Sequence, residues 1–145
     1  MKKAIIIAAG MGKRLKPLTN DMPKCLLKVG RKSILRNQIS IYKSLGLKNI
    51  NIICGHEKKR FEKKVANFFF NEKYRENNIL ESLFYAKKIL NGNCLISYSD
   101  IIFKKKIIRE ILKSQSSISI LTDVSWKKTI RKDICTQCRK QKKSE

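Results

Sequence analysis

Apolar residues fall along this chain in two kinds of run. Ala4-Ile5-Ile6-Ile7-Ala8 is continuous rather than alternating, the pattern of a strand covered on both faces within a parallel sheet. Asn49-Ile50-Asn51-Ile52-Ile53-Cys54 predicts a second strand, ended by Gly55-His56, and Cys94 to Phe103 a third that delivers Asp100 at its carboxyl end. The other runs have helical spacing. Ile34, Leu35, Gln38, Ile39, Tyr42 and Leu45 make one face of a helix, with Ser33 as its N-cap and Gly46 at its stop. Glu57 to Phe69 predicts a basic helix carrying Phe61, Val65 and Phe68 on one face, and Phe68-Phe69-Phe70 then passes into a short strand. An amphipathic helix is expected from Ile79 to Leu90, another helix from Lys104 to Lys113, and a β-rich run from Ser117 to Thr122. Lys28 to Lys32 reads as a turn. No repeat or low-complexity linker divides the chain, so one domain is the simplest account.

The first strand empties into Ala8-Ala9-Gly10, then Gly12 and the pair Lys13-Arg14. Glycine lets backbone N–H groups approach an anion, and arginine offers a planar fork of donors, so such a loop can wrap polyphosphate. It is not the dinucleotide fingerprint, whose third glycine is replaced by Leu15, nor a P-loop, since no Gly-Lys-Ser/Thr follows at the required gap. Asp100 stands where open sheets bind ligands. One carboxylate plus substrate phosphates is how proteins usually hold Mg²⁺, although a helix cap or surface turn is the competing role. Asn77-Asn78 can cap the following helix or hydrogen-bond a nucleobase edge. His56, the single histidine, reads as a loop position rather than a catalytic group.

Composition narrows the partners. The net charge of +23 favours polyanions, but the lysines are spread from end to end and the chain carries no RNP motif, zinc finger or recognition-helix pair. Non-specific nucleic-acid binding is therefore expected as a test-tube property and specific nucleic-acid recognition is not. Five cysteines without a secretory signal argue against a disulfide framework; Cys25, Cys54 and Cys94 read as small buried hydrophobes, and Cys135-x-x-Cys138 lacks the second pair that a zinc site needs. No apolar run is long enough to cross a bilayer. Cleaving Met1-Lys2-Lys3 and the run behind it as a signal peptide would remove the motif strand, so a cytoplasmic protein is expected.

Taken together, Gly10-x-Gly12-x-Arg14, Pro17-Leu18-Thr19 and Pro23-Lys24 resemble the signature of nucleotidyltransferases that activate sugar phosphates and similar small phosphate esters. Asn77, Asn78, Ser82 and Leu83 resemble the base-reading region of the cytidylyltransferases that act on phosphocholine and related amino-alcohol or phosphonate substrates. Ser97-x-Ser99-Asp100-Ile101-Ile102-Phe103 resembles the family's metal-binding strand, and Asp123 to Lys127 its continuation, so the likeness covers roughly residues 1 to 130. It implies an α/β fold, a Rossmann-like three-layer sandwich of the GT-A-like kind with a mostly parallel central sheet. It also implies transfer of a nucleotidyl group, with CTP favoured, to a small phosphorylated acceptor such as phosphocholine, releasing pyrophosphate. On the matched positions, Ala8, Ala9, Gly10, Met11, Gly12 and Lys13 would hold the nucleotide, with Asn77, Asn78 and Ser82 at its base. Arg14 would grip the leaving phosphates, Lys24 would neutralise charge where the α-phosphorus meets the acceptor, and Asp100 would hold Mg²⁺.

Two alternatives stay within nucleotide binding: a sugar-1-phosphate nucleotidyltransferase using dTTP, UTP or GTP, and a catalytically inactive fragment. A third is a basic nucleic-acid binder. The family's members are usually considerably longer, with acceptor contacts and a second metal-binding carboxylate in a later segment. The fold is therefore expected to be incomplete at the C-terminus, with an exposed sheet edge, and residues 131–145 to be a basic, disordered tail.

Overall fold

β1 (Lys3–Ala8) is an inner strand of the sheet, and the computed structural model, which describes residues 2–62 and 64–123, shows why it is apolar from Ala4 onward. It is followed by a small antiparallel hairpin, β2 (Lys28–Val29) and β3 (Lys32–Ser33), then by α1 (Ile34–Ser44), β4 (Asn49–Cys54), β5 (Asn67–Phe70), α2 (Ile79–Phe84), β6 (Cys94–Tyr98) and α3 (Lys105–Lys113). The main sheet is parallel with strand order β5-β4-β1-β6, so Ile6 lies between Ile52 and Ser97. On one face Ala4, Ile6, Ile50 and Ile52 pack against Leu35, Ile39 and Tyr42 of α1 and Ile108 of α3. On the other, Ile5 and Ile53 pack against Ala86, with Leu83 of α2 beside them. Each isoleucine buried this way contributes on the order of 1.5–3 kcal/mol, and an alternating strand would forfeit half of that. The three-layer α/β arrangement expected from the sequence is the one observed.

Local chemistry ends the helices. Ser33 Oγ accepts from the Arg36 N–H at 3.2 Å, and Gly46, at φ +81°, takes the left-handed turn after α1 that a Cβ would strain. At α2 a capping box forms: Asn78 Oδ1 accepts from the Glu81 N–H at 2.9 Å while the Glu81 carboxylate accepts from the Asn78 N–H at 2.8 Å.

Three expected elements differ. The basic helix over 57–69 is absent; Glu57 sits at φ +47°, which breaks helical geometry, and only a 3-10 turn, Lys58–Arg60, follows. Phe61 is nonetheless buried, meeting the Phe68 ring edge-on at 5.8 Å across a bend, and β5 pairs with β4. The helix expected to reach Leu90 stops at Phe84 and tightens into a 3-10 turn, Lys87–Ile89, because fully buried Ala86 brings the backbone down onto Ile5 and Ile53. The run 117–122 is irregular rather than a strand.

The chain divides into two compact units, Met1–Lys113 and Ser114–Glu145. The first holds the sheet. In the described part of the second, the Ser114 and Ser119 hydroxyls lie 2.6 Å apart. Trp126, Asp133, Cys135, Cys138 and the tail 131–145 lie outside the described residues. Among the described residues β6 has a strand on one side only. Ile96 and Tyr98, in register with Ile5 and Ile7, are about half exposed.

Candidate functional site

From β1 the chain moves outward to β4 and β5, then returns across the sheet to β6 on the other side of β1. The point where the direction reverses, at the carboxyl ends of β1 and β6, is where open parallel sheets leave a crevice. Here it is a cleft of about 280 Å³. Of the residues singled out in the sequence, Ala8, Gly10, Gly12, Lys13, Arg14, Lys24 and Asp100 line it together, joined by Cys25, Ile79, Tyr98 and Ser99. Ala9 and Met11 belong to the same loop without being among the lining residues; Ala9 is buried and its carbonyl accepts from the His56 N–H at 3.3 Å. Asn77, Asn78 and Ser82 stand beside the cleft through their neighbour Ile79 rather than on its wall. A larger depression of about 440 Å³ between Leu45–Lys48 and the end of α3 holds cations and leucines. Its Lys2 ammonium is already committed to the Leu112 carbonyl at 2.7 Å, and it has neither carboxylate nor glycine loop.

The loop is held from beneath. Gly12, at φ +63°, is left-handed, and a Cβ there would meet Thr19 Cγ2 at 3.1 Å and Lys24 Cβ at 3.3 Å. Thr19 is fully buried and its Oγ1 donates to the Gly12 carbonyl at 2.9 Å. His56 Nε2 lies 3.1 Å from the Thr19 carbonyl, which only accepts, so this nitrogen carries the proton and donates. The histidine read as a loop position is thus a strut between the end of β4 and the phosphate-type loop.

Across the cleft, Lys24 Nζ donates to Asp100 Oδ2 at 2.8 Å. Both side chains are partly exposed, so the pair adds little to stability, about 0–1 kcal/mol, and its consequence is orientation. The turn carrying Asp100 is fixed by Ser99, whose N–H donates to the Ile7 carbonyl at 3.1 Å, and by Gln38 of α1. Buried Gln38 donates from Nε2 to the Tyr98 and Ile101 carbonyls at 2.9 and 2.7 Å. Replacing Gln38 by Leu strands both carbonyls, and a urea melt is expected to show a loss of roughly 1–3 kcal/mol; an unchanged midpoint would remove this assignment. Burial pushes the Cys25 thiol up to about 12, against a hydrogen bond with Ser99 that pulls it down, so it stands in the cleft as a neutral group and not a nucleophile.

Sequence reasoning overlooked the supports. Gln38 left a signal, a polar side chain inside an apolar helical stripe. Asn71 left none: at the end of β5 it is fully buried, and its amide bonds reciprocally with Asn77 while also reaching Ser82 Oγ at 2.9 Å.

As for the magnesium ion that the resemblance implies, no group of three His, Cys, Asp or Glu stands together among the described residues. Asp100 is a single partly exposed carboxylate facing a cationic loop. That donor set suits Mg²⁺, which keeps waters and takes most remaining oxygens from phosphates.

Comparison with known proteins gives a consistent likeness. The family model described as nucleotidyl transferase matches residues 3–127. A CTP:phosphoglutamine cytidylyltransferase of Campylobacter jejuni is 33% identical over 134 residues, covering 85% of this chain and 53% of that protein. A choline-phosphate cytidylyltransferase of Streptococcus pneumoniae is 36% identical over 116 residues, covering 77% and 51% respectively. The solved structure of a CTP:phosphocholine cytidylyltransferase from Streptococcus pneumoniae superposes with a TM-score of 0.67 at 39% identity, over 72% of this chain and 47% of that one. The chain spans about half the length of the curated relatives it matches.

Proposed function

Because the chain belongs to the nucleotidyl transferase family, we propose that it binds CTP in the cleft between β1 and β6 and transfers CMP to a small phosphorylated acceptor of the phosphocholine type. The observation that carries this reading is the convergence of the glycine loop, Lys13, Arg14, Lys24 and Asp100 in one crevice. The chemistry needs nothing more elaborate. An acceptor phosphate is already ionised near neutral pH, so its oxygen attacks the α-phosphorus without a general base. A P–O bond forms there, the α–β bridging bond breaks, and pyrophosphate leaves with the electron pair. Catalysis is then positioning and charge stabilisation.

The backbone of the loop would hold the triphosphate, with Gly10 and Gly12 permitting close approach. Arg14 would grip the departing phosphates with its planar fork. Lys24, already oriented by Asp100, would stand over the charge that accumulates between α-phosphate and acceptor. Asp100 would hold Mg²⁺, which when bound neutralises phosphate charge. The neutral Cys25 thiol excludes a competing anion from the same floor. A cytoplasmic setting goes with this reading, since nucleoside triphosphates and free thiols such as Cys25, Cys54 and Cys94 belong in a reducing compartment. The cytidylyltransferase relatives favour CTP over the sugar-nucleotide alternative.

Calorimetric titration with CTP, UTP, dTTP, GTP and ATP, each with Mg²⁺, tests the proposal. CTP is expected to bind with preference, and Arg14→Ala to weaken it by about 10- to 100-fold, the worth of one or two charge-assisted hydrogen bonds. Pyrophosphate release with phosphocholine then tests turnover separately. Equal, salt-sensitive binding of every nucleotide, unaffected at Arg14, would refute it in favour of non-specific polyanion binding.

A further inference from the structure

We propose that the Lys24–Asp100 pair is an autoinhibitory latch: while Lys24 holds Asp100 the carboxylate takes no divalent cation, and a nucleotide's phosphates release it by drawing Lys24 away. The inference deepens the CTP-binding reading above and rests on it. Asp100 is the single acidic residue among those lining the cleft, whose wall also bears Lys13, Arg14 and Lys24. Of these three cations Lys24 is the one ion-paired among the described residues, with its Nζ 2.8 Å from Asp100 Oδ2.

The contact that orients Lys24 also withholds both of its members. Asp100 Oδ2 already has an ammonium 2.8 Å away. A divalent cation on the same oxygen, at the roughly 2.0–2.1 Å that Mg²⁺ requires, would stand within about 5 Å of that like charge. On Oδ1 it would meet a carboxylate whose charge the ammonium already balances. In the same way, a phosphate oxygen can claim the Lys24 ammonium only in competition with Asp100. The pairing seen here and the two separate roles of Lys24 and Asp100 therefore exclude each other.

One partner is able to leave. The turn carrying Asp100 is clamped, by the Gln38 amide on the Tyr98 and Ile101 carbonyls and by the Ser99 N–H on the Ile7 carbonyl. Lys24 opens a short 3-10 turn, Lys24–Leu26, and its ammonium stands at the end of a flexible stem that is partly exposed. Partly exposed pairs are weak, and a triphosphate offers Lys24 several charges where Asp100 offers one. Lys24 therefore swings and Asp100 stays. Metal and nucleotide then bind with a positive coupling that belongs to the protein, beyond their affinity for one another in solution.

The test is paramagnetic broadening of the Ser99 and Ile101 amide signals by Mn²⁺ alone, on the ¹⁵N-labelled full chain without nucleotide. Lys24→Met, which keeps an apolar stem and removes the charge, is expected to broaden them at roughly ten-fold lower Mn²⁺ than wild type needs. Lys13→Met takes an equal charge from the same wall without touching Asp100, and is expected to change the requirement by less than about three-fold. Adding Asp100→Asn to Lys24→Met is expected to abolish the effect; broadening that persists there puts the ion elsewhere and overturns the latch. Should Lys24→Met fail to fold, Lys24→Gln decides. Equal Mn²⁺ requirements in wild type and Lys24→Met, or an equal gain from Lys13→Met, also overturn the latch, and leave the CTP reading standing where CTP still binds in preference. No broadening in any of these proteins, even with CTP and Mn²⁺ together, overturns the metal role of Asp100 and the latch with it.

Discussion

Gly55→Ala is expected to destabilise the protein by roughly 3 kcal/mol or more, the upper end of what overpacking costs, and to lower Tm by something like 12–20 °C for a domain of this size. Gly55 has no unusual φ, so the effect is steric and not conformational. A Cβ added there would lie 2.4 Å from Tyr74 Cβ, 2.7 Å from Tyr74 Cγ and 2.9 Å from the Ala9 carbonyl oxygen. The first of these atoms is fixed by the tyrosine backbone and the last is itself backbone, so no rotamer change relieves the contact. This mechanism makes an unusual demand on the rescue. Tyr74→Ala keeps its Cβ and is expected not to suppress the defect, whereas Tyr74→Gly removes it and is expected to recover part of the loss in a double-mutant cycle. Full additivity of Gly55→Ala and Tyr74→Gly would show that the clash lies elsewhere. The site should feel the change too, since the displaced Ala9 carbonyl accepts from His56, which in turn braces Thr19.

Stability is expected to fall as pH rises from about 9 toward 12. Three buried groups hold their protons longer in the fold than in the unfolded chain: Cys25, pushed up to about 12 by burial, and Cys54 and Tyr42, each raised by burial. The unfolded chain releases these protons first, so the stability they contribute is fully present below pH 9 and is lost through the interval above it. Each such group adds a slope of up to about 1.4 kcal/mol per pH unit. Tyr42 is the more consequential to ionise, for its hydroxyl bonds Ser97 Oγ at 2.8 Å in the centre of the α1 face. Urea melts at pH 8, 9, 10 and 11 measure the slope, and Cys25→Ala is expected to shallow it. If the wild-type and Cys25→Ala profiles coincide, the thiol is not buried as described.

What could be seen in the sequence, and what could not, divides along the range of the interactions. β1 was legible because burial on both faces leaves an unbroken apolar run from Ala4 to Ala8, β4 and β6 because their runs are short and largely apolar, and α1 because a periodic face, a serine cap and a glycine stop agree. Arg14 and Asp100 stood out because each carries a charge in its own side chain beyond a strand end, and Lys24 only through the motif resemblance; the fold brings all three to one cleft. The helix over 57–69 misled for the opposite reason. Phe61, Val65 and Phe68 have helical spacing, yet Phe61 reaches the core from a bend and the Phe68–Phe70 triplet is claimed by the edge of β4. The roles of the supports were not local: Gln38, though visible as a polar residue in an apolar stripe, grips a turn sixty residues on, His56 braces a loop far behind it, and Asn71 speaks only to residues that a short helix folds back onto it.

The register of β1 has a consequence for the chain while it is being made. Its partners are Asn49 onward on one side and Cys94 onward on the other, so the strand synthesised first is the last to be enclosed. At ~5–20 residues per second the second neighbour follows roughly 5–20 s after the first isoleucines appear. Through that interval Ile5, Ile6 and Ile7 form a charge-free, β-prone segment with first both edges and then one edge unpaired, the kind that seeks a strand on another chain. It is bracketed by Lys2 and Lys3 before it and by Lys13, Arg14 and Lys16 after it. Like charges so close to a sticky segment act as gatekeepers that hold nascent copies apart. Lys13 and Arg14, which line the cleft of the finished protein, thus also guard its inner strand before the sheet exists.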